Sequence, residues 1–415
     1  MLNPLEFLLL VGNMIFSFWW LWAPPFLLAV FFKLWLKYAR LVYWKKLDWV
    51  VLEIIPPIEV KHSPRAAENF FAGIWTAYGT VSTKLDKYIK GQTQEYYCLE
   101  IVGDGGDVHF YIRCQRARRN HMEAQLYAHY PGAEIVEVPD YTNNIPNVIK
   151  SPEWDIWGTV LKLAKEDAYP IRTYVDFVDI ASISLSAPMI DPLSSIVETL
   201  SKLKKGEVVW IHIYARPADD DWKRGGEKLI KKIMGTEPPP KKNALLSFAG
   251  DLVGAFTDSG SGEQKAAPNV PKSFLLSEED RATMKAIYRN ISKSGYECKI
   301  QFAYMGKKDV FTKITGTAVM GLFIQFNDLN LNGLKPKKET LTRASYLLKK
   351  PRVQFKKRLL YENMKKRRFF DQTGFVLNTE ELATIFHLPA VSVEAPKTPR
   401  VQAKKGSPPV DLPVG

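Results

Sequence analysis

The chain has 415 residues and a formal net charge of +13, room for about two ordinary domains. Three cysteines, Cys98, Cys114 and Cys298, are too few for a disulfide framework and read as small hydrophobes. The charge is uneven: Lys335 to Arg368 carry fourteen Lys or Arg against Glu339 and Glu362, nearly the whole excess, so a partner for it should lie near that segment.

Residues Phe7 to Phe32 contain no charge, and Lys33, Lys37, Arg40, Lys45 and Lys46 follow at once. The run suffices for one crossing of a bilayer and is too short for two. Trp19, Trp20 and Trp22 beside Pro24 and Pro25 predict an interfacial position. The span is either kinked through the whole run, or a short interfacial segment followed by a helix opened at Pro24 or Pro25 and running to about Tyr43. In the second case Lys33 and Lys37 snorkel. A cleaved signal peptide fits poorly, because Glu6 but no Lys or Arg precedes the run and no small-residue cleavage site follows. The positive-inside rule places the body in the cytoplasm.

The anchor, residues 1–46, leads into a block at 47–150. Trp49 to Ile55, Tyr96 to Val102, Val108 to Cys114 and Ala133 to Val138 read as strands. Helices are predicted from Ser63-Pro64 to Tyr78 and from Arg116 to Tyr130. Asp104-Gly105-Gly106 is a hairpin signal. The order β-α-β-β-α-β is that of a ferredoxin-like unit. A second block, 151–330, has strands at Thr159 to Ala164, Thr173 to Val178, Val208 to Tyr214 and Lys299 to Met305. Its helices are predicted at Asp191 to Leu203, Asp219 to Met234, Ser277 to Ser292, opened by a capping box of Ser277 with Asp280 three residues on, and Lys308 to Phe323. Its α-β units predict a second ferredoxin-like domain, interrupted by a flexible insertion at 235–273. A basic helical segment follows at 331–388, at the far end of the body from the anchor, and an extended tail at 389–415. The fold class is therefore α+β: a transmembrane helix and two ferredoxin-like units.

No Walker motif is present; Gly103 to Gly106 lack its Lys-Ser/Thr. His121 and His129 are eight residues apart and lack ligands at metal spacing, and His62, His109, His212 and His387 stand alone. Asp219 to Asp221 read as a solvated helix start. The expectation is a protein without cofactor, metal site or catalytic residues. The candidate contact residues are Lys349, Lys350, Arg352, Lys356, Lys357, Arg358, Lys365, Lys366, Arg367 and Arg368, interleaved with Phe355, Leu359, Leu360, Tyr361, Met364, Phe369 and Phe370. Nucleic-acid backbone, anionic lipid and a solvated helix packed by its apolar side all remain open readings.

Three stretches carry a resemblance: FYIRCQRARRNHMEAQLYAHYPGAEIVEVPDYT (110–142), DPLSSIVETLSKLKKGEVVWIHIYARP (191–217), and FVLNTEELATIFHLP with SPPVDLP (375–389 and 407–413). Following a Trp/Pro-rich membrane segment, they resemble the amino-terminal region of membrane-anchored type IV secretion and conjugation ATPases of candidate-phyla bacteria. In those proteins a Walker motor follows the third stretch. No position here matches it, so no catalytic residue carries over. The resemblance implies a membrane-and-accessory component of a translocation machine that works with a partner ATPase, secretion subunits or DNA, in repeated copies of the chain.

Overall fold

A computed structural model describes residues 17–57, 64–75, 83–177, 191–234, 277–369 and 374–389. The expected insertion at 235–273 and most of the tail lie outside them, as do residues 1–16.

Helix α1, Trp19–Lys46, is one continuous helix with Pro24 and Pro25 inside it. It therefore starts before the prolines, not at them; each removes one ladder hydrogen bond near the N-terminal end. Among the described residues it alone is long and apolar enough to cross a membrane, and none of its apolar stretch is buried against the body. By length and composition, a helix of this kind near an N-terminus fits an anchor or a signal sequence.

Among the described residues the body is built on one antiparallel sheet of nine strands. The first four are β1 (Trp49–Ile55), β2 (Tyr97–Asp104), β3 (Asp107–Gln115) and β4 (Glu134–Val138). The next four are β5 (Trp154–Leu163), β6 (Glu207–Pro217), β7 (Gly295–Lys307) and β8 (Leu334–Pro336). Their order is β4-β1-β3-β2-β6-β7-β5-β8, and β9 (Phe375–Asn378) pairs with β7. The two blocks expected as separate domains thus share a single sheet. Their join is the β2–β6 ladder, from Tyr97 opposite Ala215 to Asp104 opposite Val208. The reason is visible in the sequence of both strands, which are apolar on both faces and could not end a sheet in water. Between β2 and β3, Gly105 and Gly106 both take positive φ, +58° and +104°, as a two-residue hairpin turn requires.

One face carries α2 (Arg65–Trp75), α4 (Arg119–His129), α5 (Ser194–Ser201), α8 (Lys313–Gly321) and α10 (Thr379–Ile385). Phe70, Phe71, Ile74, Met122, Leu126, Ile196, Leu200 and Val319 merge there with sheet residues into one core. Short helix α3 spans Lys84–Tyr88. Helices α6 (Asp221–Ile233) and α7 (Glu278–Ile291) pack on each other through Leu229, Ile230, Ile287 and Ile291. The capping box expected at Ser277 and Asp280 is formed.

Three further expectations are corrected. Of the strand expected at Thr173 to Val178, Val178 lies outside the described residues and Tyr174–Phe177 is a 3-10 turn, because Asp176 accepts the Thr173 N–H and hydroxyl and closes the chain on itself. The 331–388 segment is not only helical. It supplies β8 and β9 to the sheet, and every residue of α10 is buried. Nor does it stand at the far end from the anchor: Phe369 stacks on Tyr96, which packs on Trp44 near the end of α1.

Candidate functional site

The second face of the sheet is covered by the basic helix α9, Lys349–Lys365. Its C-terminal half is held by shape. Leu360, Tyr361 and Met364 pack on Val208, Trp210, Ala303, Met305 and Ile156, with the Tyr361 and Trp210 rings stacked. Its N-terminal half is held mainly by charge and hydrogen bonds. Lys357 pairs with Asp155, and the Lys356 ammonium donates to the carbonyl of Arg343 at 3.1 Å.

Immediately after α9 the backbone turns through Arg367, whose φ is +47°. This left-handed conformation is costly for a bulky residue. It drives the side chain down onto the sheet, where Arg367 is 1% exposed. Its Nε and Nη2 donate to Glu100 at 2.6 and 3.0 Å, and its Nη1 and Nη2 donate to Asp140 at 2.7 and 3.0 Å. The Tyr141 hydroxyl lies 2.5 Å from Glu100 and 2.7 Å from His212 Nε2. Burial alone would push the Glu100 carboxyl up, but Arg367 and then His212 overcome it and hold it down at about 2. Burial depresses His212 to about 4 against the raising pull of Glu100, so it is neutral.

Cys98, Glu100 and His212 offer donor atoms within 4.8 Å of one another. The arrangement suits a cation poorly. A guanidinium already occupies Glu100, both His212 nitrogens lie beside tyrosine hydroxyls, and burial raises the Cys98 thiol well above its usual range. The network is a clamp that fixes the end of α9 to the join between the two halves of the sheet.

The ten basic residues singled out by sequence therefore separate. Arg367 is inside the protein and cannot meet nucleic acid or lipid. Lys356 and Lys357 are half-buried and engaged. Arg358 pairs with Glu362 at 2.9 Å while remaining exposed. Lys349, Lys350, Arg352 and Lys366 are exposed, and Lys365 and Arg368 are half-buried. Beside them the chain exposes Tyr346, Leu347, Leu348, Phe355 and Leu359. A cavity of about 370 Å³ opens under this flank, walled by Leu348, Phe355, Leu359, Val160 and Gln301. The Gln301 Oε1 and Asn363 Oδ1 atoms are buried without a hydrogen-bond partner among the described residues. The cavity could take a small apolar molecule bearing a donor.

Of the anchor residues, Trp19 and Trp20 are exposed to the surroundings of α1, as are Lys33 and Lys37, while Arg40 is half-buried where α1 meets the body. Sequence reasoning missed Glu100, Asp140 and Tyr141, and passed over His212 as isolated. A signal existed: Glu100 and His212 each interrupt an otherwise apolar strand, and such a group must find a partner when buried.

The fold and this face define a sheet-based α/β body with an apolar N-terminal helix and a basic helix clamped across the sheet. Residues 45–400 match the family described as Domain of unknown function (DUF8128), and the chain belongs to that family. No curated protein matches the sequence.

Proposed function

We propose that this protein is a membrane-anchored, non-catalytic platform of a type IV secretion- or conjugation-like machine. It holds a partner ATPase or DNA at the cytoplasmic face of a bacterial inner membrane. The observation that carries the reading is the joint between anchor and body. Trp44 of α1 stacks on Trp49 of β1 with ring centroids 5.5 Å apart and packs on Tyr96. Gly91, at φ +67°, lets the chain approach the backbone of Ala39 and Arg40 so closely that a Cβ would fall 2.3 Å from Ala39. A signal sequence is cut away and needs no such joint, whereas an anchor that orients a body does.

The fold supports a repeat within the platform. The first half runs β4-β1-β3-β2, and the second, read from its outer edge, runs β8-β5-β7-β6. In chain order both are the arrangement 4-1-3-2 of a ferredoxin-like unit. We read the body as two such units fused edge to edge, each with its helices on the same face.

A nucleic-acid-binding role at the membrane is the second reading. It is favoured by Lys349, Lys350 and Arg352 standing exposed beside Tyr346 and Phe355.

The test is purification of the full chain from detergent-solubilised membranes. Co-purification of a Walker-type ATPase or a secretion subunit supports the platform. Recovery of the chain from membranes with DNA alone moves the reading to the second, and its appearance in the soluble fraction overturns both.

A further inference from the structure

Helix α3 is too short to be stable alone, yet it is built with care. The Thr83 side chain caps it by accepting the Asp86 N–H at 3.2 Å. Lys90 pairs with Asp86 at 2.8 Å. Its apolar residues nevertheless face outward: Leu85 is 58% exposed and Ile89 57%. Lys84, Lys87 and Lys90 surround them, all exposed.

Its placement explains the pattern. The Tyr88 ring packs on Phe32 with centroids 5.8 Å apart, and the Trp35 indole N–H lies 3.3 Å from the Tyr88 carbonyl. Gly91 then closes on Ala39 and Arg40. The segment is thus fastened to α1 along the turns where the uncharged run ends and Lys33 and Lys37 begin. At about 1.5 Å per residue, Trp19 to Ala39 spans roughly the 30 Å of a hydrocarbon core. On that count α1 leaves the core near Ala39, and the 83–92 segment, touching Phe32, Trp35 and Ala39, lies along the last two turns before the exit.

We infer that residues 83–92 form a second membrane contact, a hook that places Leu85 and Ile89 in the boundary between headgroups and acyl chains while Lys84, Lys87 and Lys90 meet anionic headgroups. The chemistry is that of an interfacial amphipathic element. This inference rests on the anchor reading of α1. With α1 it makes a two-point attachment that restrains the body from swivelling about a single helix.

The experiment uses the full chain reconstituted into vesicles of phosphatidylcholine and phosphatidylserine. An environment-sensitive dye is placed at Leu85→Cys, Ile89→Cys and, as reference, Asp107→Cys at the start of β3, beside the far end of β2. The expected result is a blue-shifted emission at 85 and 89, quenched by nitroxide-labelled lipid, with neither effect at 107. Water-like emission at all three positions in a chain that resists carbonate extraction overturns the hook and leaves the anchor standing. A chain that carbonate removes from the vesicles overturns the anchor instead. Because the dye could itself draw the segment into lipid, unlabelled Leu85→Asp/Ile89→Asp provides a second readout. Both sites are exposed, so the fold is retained. Protease should cut the 83–92 segment readily in the variant and not in the parent on vesicles; equal cutting of both counts against the hook.

Discussion

Arg367 donates two hydrogen bonds to Glu100, 267 residues away in the chain, at 2.6 and 3.0 Å in a site neither shares with water. This pair joins the end of the basic helix to the strand at which the two halves of the sheet meet. Removing Arg367 leaves the Glu100 charge buried without its cation, which typically costs about 3–5 kcal/mol, whereas replacing a buried pair with apolar groups can be neutral.

Arg367→Met should therefore lower unfolding stability by roughly that amount, and Glu100→Leu combined with Arg367→Met should recover much of the loss. Urea titration of the detergent-solubilised chain, followed by tryptophan fluorescence, measures this. A double variant no more stable than Arg367→Met alone would contradict the clamp.

Acid should weaken the fold in two windows. His212, ordinarily 6.5, is depressed to about 4 in the folded state. The unfolded chain therefore binds its proton first, and stability falls as pH drops from 6.5 to about 4. Glu100, ordinarily 4.5 and held at about 2, contributes stability above 4.5 that is lost as pH falls toward 2. His212→Asn should flatten the upper window relative to the parent and also shrink the lower one, because the His212 charge helps Arg367 hold Glu100 down. Stability measured at intervals between pH 7 and 4 decides it.

Gly91→Ala should loosen the anchor joint. The residue sits at φ +67° with backbone where the methyl would go, so about 1–2 kcal/mol of left-handed strain is joined by a clash that only movement of α1 relieves. The expected outcome is faster protease cleavage between the end of α1 and β1 with the sheet intact by circular dichroism. Unchanged cleavage would mean that the Trp44–Trp49 stack suffices.

If the exposed basic face binds DNA, changing Lys349, Lys350, Arg352 and Arg358 to Gln should reduce the slope of log affinity against log salt by about 3–4. Lys357→Gln, which removes a residue already paired with Asp155, should change the slope little. Equal effects of the two variants would show that the contact lies elsewhere.

Much of this fold could be read from local pattern. β1, the hairpin at Gly105-Gly106, the α4 and α7 helices and the Ser277 capping box follow from periodicity and turn chemistry, which act over a few residues. The apolar run of α1 likewise announces itself. The short strands β8 and β9 carried no such signal, since each takes its structure from a neighbour far along the chain.

The same division separates the two groups of basic residues. The sequence alone determined that positive charge is concentrated between Lys335 and Arg368 and that an uncharged run, Phe7 to Phe32, precedes the body, because composition and periodicity are properties of neighbouring residues. Only the tertiary structure decided that Arg367 lies inside while Lys349 and Lys350 lie outside. Burial depends on which strand passes beneath a side chain, and the strand beneath Arg367 carries Glu100. For the same reason, the basic segment that follows the body in sequence comes back to the foot of α1 in space.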